Sequence, residues 1–99
     1  PNYRFQTCYP FYVGLEHLSD FFHADKFVFV IPEYNGGMPG AMKMFIDALS
    51  IYKRDETFSN KKAAIVGVAS GRAGNLRGME HLTGILHYLN TTVLPNRQP

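Results

Sequence analysis

Three short apolar runs divide the chain into segments. Residues 26–31 (KFVFVI) have no polar side chain after the first, and residues 63–69 (AAIVGVA) form a second run of this kind. Residues 91–94 form a third run, directly before Pro95. Continuous apolar runs of this length predict strands that are buried on both faces, as in a parallel sheet.

Helical periodicity fills the stretches between these runs. The first predicted helix ends at residues 24–25, and its apolar face consists of Leu15, Leu18 and Phe22. A second helix is predicted from Pro39, which is suited to a first helical turn, to about residue 52. Residues 53–60 are polar and predict a loop.

The third predicted helix lies between the last two apolar runs. Asn75 is suited to cap its N-terminus, the helix extends to about residue 89, and Asn90 closes it in a left-handed conformation. Residues 1–14 hint at a strand by their alternation, which Pro10 and Gly14 interrupt. Because helices alternate with apolar strands, the chain is predicted to form a parallel α/β sheet with right-handed crossovers.

Two predicted loops leave strand ends and enter helix N-termini. They span residues 32–38 and 70–75, and both are rich in glycine and polar residues. In open parallel sheets, ligands bind at the carboxyl ends of the strands, where loops of this kind lie. These two loops therefore indicate a binding site.

The first of these loops has residues that suit a flat ligand. Gly36 and Gly37 permit positive φ and let the backbone approach a ligand closely. Tyr34 is able to stack on a flat ring, and Asn35 with the nearby backbone amides is able to bind ring carbonyls and nitrogens. An ordinary tight turn has the same composition, so the residues alone favour neither interpretation.

The second loop has arginines close to its glycines. Arg72 and Arg77 are suited to a phosphate or pyrophosphate, although for each arginine taken singly a solvent-facing position is the favoured interpretation. The loop is neither a dinucleotide fingerprint GxGxxG nor a phosphate loop GxxxxGK[ST].

Composition and charge exclude several classes of protein. The 99 residues are 45% hydrophobic, which excludes a disordered or low-complexity chain, and no run is long enough to cross a membrane. No signal peptide is visible, and the single cysteine, Cys8, excludes an internal disulfide framework and fits a reducing cytoplasm. A net charge of +2 is too small to indicate nucleic-acid binding.

The charge is unevenly distributed along the chain. Residues 1–52 carry three basic and five acidic side chains, whereas residues 53–99 carry seven basic and three acidic ones. A basic C-terminal half favours an anionic cofactor or substrate, and a solvated surface is the plainer interpretation. The four histidines do not have the spacing of a metal site, so we predict no metal, and Ser70 lacks a nucleophile elbow, so we predict no hydrolase triad.

Residues 24–49 (ADKFVFVIPEYNGGMPGAMKMFIDAL) resemble the central signature of the NADPH-dependent FMN reductase family, which belongs with the flavodoxin-like quinone and azo-dye reductases. The combination of PEYNGG, Pro39-Gly40, Lys43 and Asp47 carries the resemblance. The order of residues from Val68 to Pro95 also matches, so the resemblance covers roughly residues 15–95.

This resemblance implies a fold and an activity. The fold is a doubly wound parallel sheet of strand order 2-1-3-4-5, formed as one flavodoxin-like domain over residues 1–99. The three strands predicted from the apolar runs correspond to the third, fourth and fifth strands of that fold. The activity is that of an FMN-dependent oxidoreductase, which passes electrons from NADPH or NADH to a quinone, azo compound, metal ion or free flavin. The positions that the resemblance assigns to cofactor binding are Pro32, Glu33, Tyr34, Asn35, Gly36, Gly37, Ser70, Gly71, Arg72 and Gly74.

One part of the family pattern is missing from this sequence. The Gly-Ser-x-Arg-type loop that binds the FMN phosphate after the first strand has no match before Leu15. We therefore expect an incomplete domain in which the strand at residues 27–31 has an exposed edge. Two alternatives stay open: a non-catalytic flavodoxin-like interaction module, and a binding domain for a different planar ligand.

The helix predicted over residues 39–52 has more apolar surface than one sheet requires. One stripe consists of Met42, Phe45, Ile46 and Leu49, and the other of Ala41, Met44, Ala48 and Ile51. The second stripe predicts a homodimer or tetramer formed through this helix, or packing against a neighbouring helix of the same chain.

Overall fold

The computed structural model describes the backbone of residues 3–7 and the whole of residues 21–95. Residues 21–23 are helical, while Leu15 and Leu18 of the predicted first helix lie outside the described residues. The other elements, in chain order, are β1 (Tyr3–Thr7), β2 (Lys26–Pro32), α1 (Gly40–Phe58), β3 (Lys62–Val68), α2 (Leu76–Tyr88) and β4 (Thr92–Val93).

The described strands form one parallel sheet in the order β1-β2-β3-β4. The two long apolar runs are β2 and β3, paired from Lys26 opposite Lys62 to Pro32 opposite Val68. The third run contributes only the two residues of β4. The parallel α/β architecture predicted from the alternation of elements is therefore confirmed.

Strand β1 lies along the edge of β2 that we expected to be exposed. It pairs with β2 in parallel from Tyr3 opposite Lys26 to Thr7 opposite Val30. The expected exposed edge at residues 27–31 is therefore wrong, because β1 supplies backbone partners along that side. The alternation within residues 1–14 did hint at this strand.

The described core lies against one face of the sheet. In β2 and β3, buried residues alternate with partly exposed ones, as expected for a strand with one fully covered face. The inward side chains and the helices share a single cluster that includes Phe27, Phe29, Ile31, Ile65, Met42, Ile46, Met79, Leu82 and Leu86. Removing such apolar surface from water stabilises the fold by about 25 cal/mol per Å².

The opposite face of the sheet is less covered than predicted. Val28, Val30, Ala64 and Val66 are only partly buried among the described residues, and Val68 is exposed. The expectation of strands buried on both faces is therefore wrong for the described residues. The apolar run alone does not show how much of the second face other elements cover.

Helix α1 extends beyond its predicted end. Lys53 has non-helical angles (φ −143°, ψ 63°), so the helix is broken one residue after the predicted end, and residues 54–58 form a further helical turn. Phe58 is buried in the core, and Arg54 Nη2 donates a 3.3 Å hydrogen bond to the Tyr88 carbonyl oxygen. The predicted loop is therefore wrong, because tertiary contacts stabilise a polar segment as helix.

Helix α2 matches its prediction more closely. It begins after Asn75 and ends one residue before Leu89, and Asn90 has a left-handed φ of 68° as expected. Among the described residues, neither helix is both long enough and apolar enough to cross a bilayer.

Candidate functional site

The loop after β2 contains a tight turn. The Tyr34 amide donates to the Gly37 carbonyl oxygen (3.0 Å), and the Gly37 amide donates to the Tyr34 carbonyl oxygen (3.1 Å). Asn35 (φ 53°) and Gly36 (φ 79°) are left-handed, which defines a type I′ turn and explains the Asn-Gly pair. The predicted positive φ is thus found at Gly36, while the second left-handed residue is Asn35 and not Gly37.

Glu33 stabilises this turn through both its backbone amide and its side chain. Its carboxylate Oε2 accepts a 3.0 Å hydrogen bond from the Gly36 amide. Its own amide donates a 2.9 Å hydrogen bond to the Val68 carbonyl oxygen. The first bond closes the turn on itself, and the second attaches the loop to the end of β3.

These bonds reduce the number of amides that are available to a ligand. The amides of Glu33, Tyr34, Gly36 and Gly37 all donate within the protein. Of the amides in residues 33–37, only that of Asn35 has no partner in the described part of the chain. The sequence led us to expect several amides of this turn to face a ligand. In the described structure, only the Asn35 amide at the tip of the turn is left for this role.

The loop after β3 lies directly on the end of its own strand. A Cβ atom on Gly67 would collide with the Gly74 carbonyl oxygen and contact the Met79 side chain. Gly74 is buried and left-handed (φ 58°), and its amide donates to the Gly71 carbonyl oxygen (3.3 Å). The absence of a side chain at Gly67 therefore permits this approach of loop to strand.

Asn75 ties the loop after β3 to strand β2. Its side-chain Oδ1 accepts a 3.2 Å hydrogen bond from the Gly78 amide, which confirms the predicted N-cap. Its Nδ2 atom donates a 3.1 Å hydrogen bond to the carbonyl oxygen of Ile31. The second bond spans 44 positions of sequence, and no local pattern indicates it.

The two loops border a shared cleft of about 270 Å³ at the carboxyl ends of β2 and β3. Its walls are formed by Glu33, Gly36, Ala73, Asn75, Leu76 and Arg77. The Arg77 Nη1 atom approaches the turn, at 3.9 Å from the place that a Cβ atom of Gly36 would occupy. The cleft therefore has a carboxylate and a guanidinium on its walls and a side-chain-free position between them.

The predicted cofactor residues divide into two groups. Glu33 and Gly36 line the cleft, whereas the other eight do not. Exposed positions outside it are Tyr34, Asn35, Ser70, Gly71 and Arg72, and less exposed ones are Pro32, Gly37 and Gly74. The prediction omitted Ala73, Asn75, Leu76 and Arg77 from the site, although the sequence had marked Asn75 as a cap and Arg77 as a phosphate contact.

The described residues contain no cluster of side chains suited to a metal ion. Among residues 21–95, no group of three or more His, Cys, Asp or Glu side chains is arranged to hold an ion.

Comparison with known proteins identifies the relatives of the chain. The sequence profile of the family described as NADPH-dependent FMN reductase matches residues 16–99. The chain belongs to this family. It is 42% identical over 67 residues to an NAD(P)H-dependent FMN reductase of Pseudomonas aeruginosa, and 38% identical over 71 residues to a quinone reductase of Escherichia coli.

These alignments cover most of this chain but a smaller part of each relative. They include 68% and 72% of the chain, but 36% and 37% of the Pseudomonas and Escherichia proteins. The chain therefore spans little more than a third of the length of these relatives.

Solved structures confirm the flavodoxin-like fold. The flavoenzyme FerB, an NAD(P)H:(acceptor) oxidoreductase from Paracoccus denitrificans, superimposes with a TM-score of 0.72 at 26% identity over 80% of this chain and 44% of its own. A flavodoxin, WrbA-like protein from Agrobacterium tumefaciens superimposes with a TM-score of 0.69 at 20% identity, covering 80% of this chain and 51% of its own. The fold implied by the sequence resemblance is therefore confirmed.

Proposed function

We propose that the chain forms part of the flavin site of an FMN-dependent NAD(P)H oxidoreductase. The observation that carries this proposal is the cleft between the two loops, at the sheet edge where doubly wound proteins bind ligands. Membership of the NADPH-dependent FMN reductase family supports the choice of flavin over another planar ligand.

The residues around the turn fit the flat ring of FMN. Gly36 has no side chain to obstruct a ring, and Tyr34 has an exposed aromatic side chain beside it. The Asn35 amide is a donor that the described contacts leave available for a ring nitrogen or carbonyl. We assign these residues to binding and orienting the ring, and we propose contacts from Pro32, Gly37, Ser70, Gly71, Arg72 and Gly74 as the family resemblance implies.

Bound FMN supplies the redox chemistry, which is hydride acceptance from NADPH or NADH and electron delivery to an acceptor. The chain's own contribution is to hold the ring and to present one amide to it. The acceptor classes are a quinone, an azo compound, a metal ion or free flavin. A quinone is the first to test, because the Escherichia relative is named a quinone reductase.

A titration with FMN tests this function directly. Purified protein is expected to quench the fluorescence of added FMN and to oxidise NADPH or NADH when a quinone is present. The Tyr34→Ala variant is expected to bind FMN several-fold more weakly, because base-like rings stacked on aromatic side chains gain about 1–3 kcal/mol. Tyr88→Ala, which removes another exposed tyrosine, serves as the matched control.

The outcomes separate the alternatives. Protein that neither quenches FMN fluorescence nor oxidises the nicotinamide overturns the oxidoreductase proposal. A folded protein that does not bind FMN but self-associates supports the alternative of a non-catalytic interaction module. Binding of another planar compound that FMN does not displace supports the third interpretation.

We also propose that the protein is a homodimer or tetramer formed through α1. The first apolar stripe of this helix is buried in the core, whereas Met44 and Ile51 of the second are 74% and 87% exposed. Tyr52 extends the same exposed apolar surface. Surfaces of this kind are typical of protein interfaces.

Sedimentation of an Ile51→Glu variant tests the assembly. A charge at this position is expected to produce monomers without loss of helical content, because the side chain is outside the core. Leu94→Glu introduces the same charge at another exposed apolar residue and is expected to leave the oligomer intact. A wild-type protein that sediments as a monomer at all concentrations contradicts this part of the proposal.

A cytoplasmic location completes the proposal. It rests on the single cysteine in the sequence and on the nicotinamide nucleotides proposed as partners. Fractionation of cells that produce the protein tests the location.

A further inference from the structure

We propose that Asn75 is a positioning residue for the cleft, and that its carboxamide determines how the loop after β3 sits against the end of β2. The identification of the ligand as a flavin rests on the proposed function, whereas the coupling of the two loops rests on the contacts of Asn75. The proposal assigns Asn75 a task beyond helix capping.

Both polar atoms of the Asn75 side chain are committed to different elements. The residue is only 4% exposed. Oδ1 accepts from the Gly78 amide in the first turn of α2, and Nδ2 donates to the Ile31 carbonyl oxygen in β2. Ile31 lies two residues before Glu33, so the second bond ends beside the turn that forms the opposite wall of the cleft.

The surroundings leave the side chain little freedom to move. A Cβ atom on Gly78 would collide with the Asn75 carboxamide, so the glycine is what lets the side chain lie there. On the other side, Gly67 permits the close approach of the Gly74 carbonyl oxygen. Because the loop is packed this closely, a change at Asn75 is expected to move the loop as a unit.

Three requirements coincide at position 75, and asparagine meets all of them. The backbone is left-handed (φ 65°), which Gly and Asn adopt most readily. The helix needs an acceptor for the Gly78 amide, which Asp also supplies. The Ile31 carbonyl oxygen accepts from a side-chain donor at this position, which Asn has and Asp lacks when ionised. Substitutions therefore separate the three requirements.

The Asn75–Ile31 bond ties the loop after β3 to β2. In the opposite sense, the Glu33 amide ties the loop after β2 to β3 through the Val68 carbonyl oxygen. Without the Asn75–Ile31 bond, Leu76 and Arg77 lose one of the attachments that hold their end of α2 near Gly36. The expected consequence is a cleft of variable width, which binds a flat ring less tightly.

The test compares Asn75→Gly and Asn75→Asp with Asn90→Gly. Asn90 is also left-handed (φ 68°), and its Nδ2 atom donates a 3.0 Å hydrogen bond to Ser59 Oγ, away from the cleft. Asn75→Gly and Asn90→Gly therefore remove the same side chain from the same backbone conformation. The measurements are amide hydrogen exchange at Glu33 and Gly36, and FMN affinity by fluorescence titration.

Both Asn75 variants are expected to exchange faster at Glu33 and Gly36 and to bind FMN about tenfold more weakly, the effect of losing one buried hydrogen bond. Asn90→Gly is expected to match the wild type in both measurements. Asn75→Asp is the decisive variant, because it keeps the cap acceptor while a carboxylate oxygen replaces the group that donates to the Ile31 carbonyl oxygen. If Asn75→Asp matches the wild type in exchange and affinity, Asn75 is only a helix cap and the proposal is overturned.

Failure of the proposed function produces a different result. If the wild type does not bind FMN, the oxidoreductase proposal fails, and the exchange rates alone decide the role of Asn75. Faster exchange at Glu33 in Asn75→Asp, which keeps the cap acceptor, then supports the positioning role, and unchanged exchange in that variant overturns it.

Discussion

The main-chain amide of Glu33 donates a 2.9 Å hydrogen bond to the carbonyl oxygen of Val68, the last residue of β3. This bond continues the pairing of β2 with β3 past the end of the strands and into the loop. Its consequence is that the Tyr34–Gly37 turn starts from a fixed point, so the cleft has one firmly held wall.

The Glu33 side chain stabilises the same turn through a second contact, the hydrogen bond from the Gly36 amide to its carboxylate. Glu33→Ala removes the acceptor of the Gly36 amide and is expected to increase exchange at Gly36 and to weaken FMN binding several-fold, since such a hydrogen bond contributes about 1 kcal/mol. Glu33→Gln keeps a side-chain oxygen at the same reach and is the matched control. FMN affinity in Glu33→Ala equal to that of the wild type would contradict a role for this bond.

The contact between Gly67 and Gly74 predicts a strong effect of a single methyl group. Gly67→Ala forces the Cβ atom against the Gly74 carbonyl oxygen and is expected to destabilise the fold by about 1–3 kcal/mol. Gly71→Ala, in the same loop, has open space around the added methyl and is expected to change stability by less than about 0.5 kcal/mol. Urea unfolding measures both; equal stabilities for the two variants would exclude the close approach.

Two buried threonines are expected to respond to the same substitution with opposite signs. The Thr57 hydroxyl is fully buried and has no hydrogen-bond partner among the described residues, so Thr57→Val is expected to stabilise the protein by about 1 kcal/mol. The Thr91 hydroxyl donates a 2.7 Å hydrogen bond to the Phe58 carbonyl oxygen, so Thr91→Val is expected to destabilise it by about 1–2 kcal/mol. Thermal unfolding distinguishes them, and a loss of stability in Thr57→Val would reveal a partner for its hydroxyl.

Lys61 is expected to make stability depend on pH in the alkaline range. Burial lowers the pKa of Lys61 from 10.5, and the charge of Asp25 opposes this effect in part. The folded state therefore releases this proton at a lower pH than the unfolded state. The destabilising contribution is fully present below the lowered pKa, and it is relieved as the pH rises toward 10.5.

The comparison with Lys61→Met isolates this contribution. The stability of the wild type relative to the variant is expected to rise with pH as 10.5 is approached from below. Lys62→Met removes a neighbouring exposed charge and controls for the general effect of alkaline pH. Urea unfolding at several alkaline pH values measures the differences; a falling relative stability would reverse the assigned sign.

Much of the architecture could be predicted because it depends on local patterns. Strands β2 and β3 follow from uninterrupted apolar runs, and the left-handed Gly36 in the turn after β2 follows from the backbone freedom of glycine. The position of the cleft followed from topology, since loops after neighbouring parallel strands meet at one edge of the sheet. The family resemblance, confirmed over residues 16–99, added the expectation of a flavin.

The remaining features depend on residues that are distant in sequence. The helical turn at residues 54–58 requires the burial of Phe58. The edge of β2 is protected only because β1 pairs with it. Within the site, the wall containing Leu76 and Arg77 was missed because the Asn75–Ile31 bond that holds it spans 44 positions. Local side-chain patterns are enough to specify β2, β3 and the cap of α2, because these features depend on residues a few positions apart. The width and lining of the cleft depend instead on long-range contacts, because the sheet must first bring together hydrogen-bond donors and acceptors from separate strands.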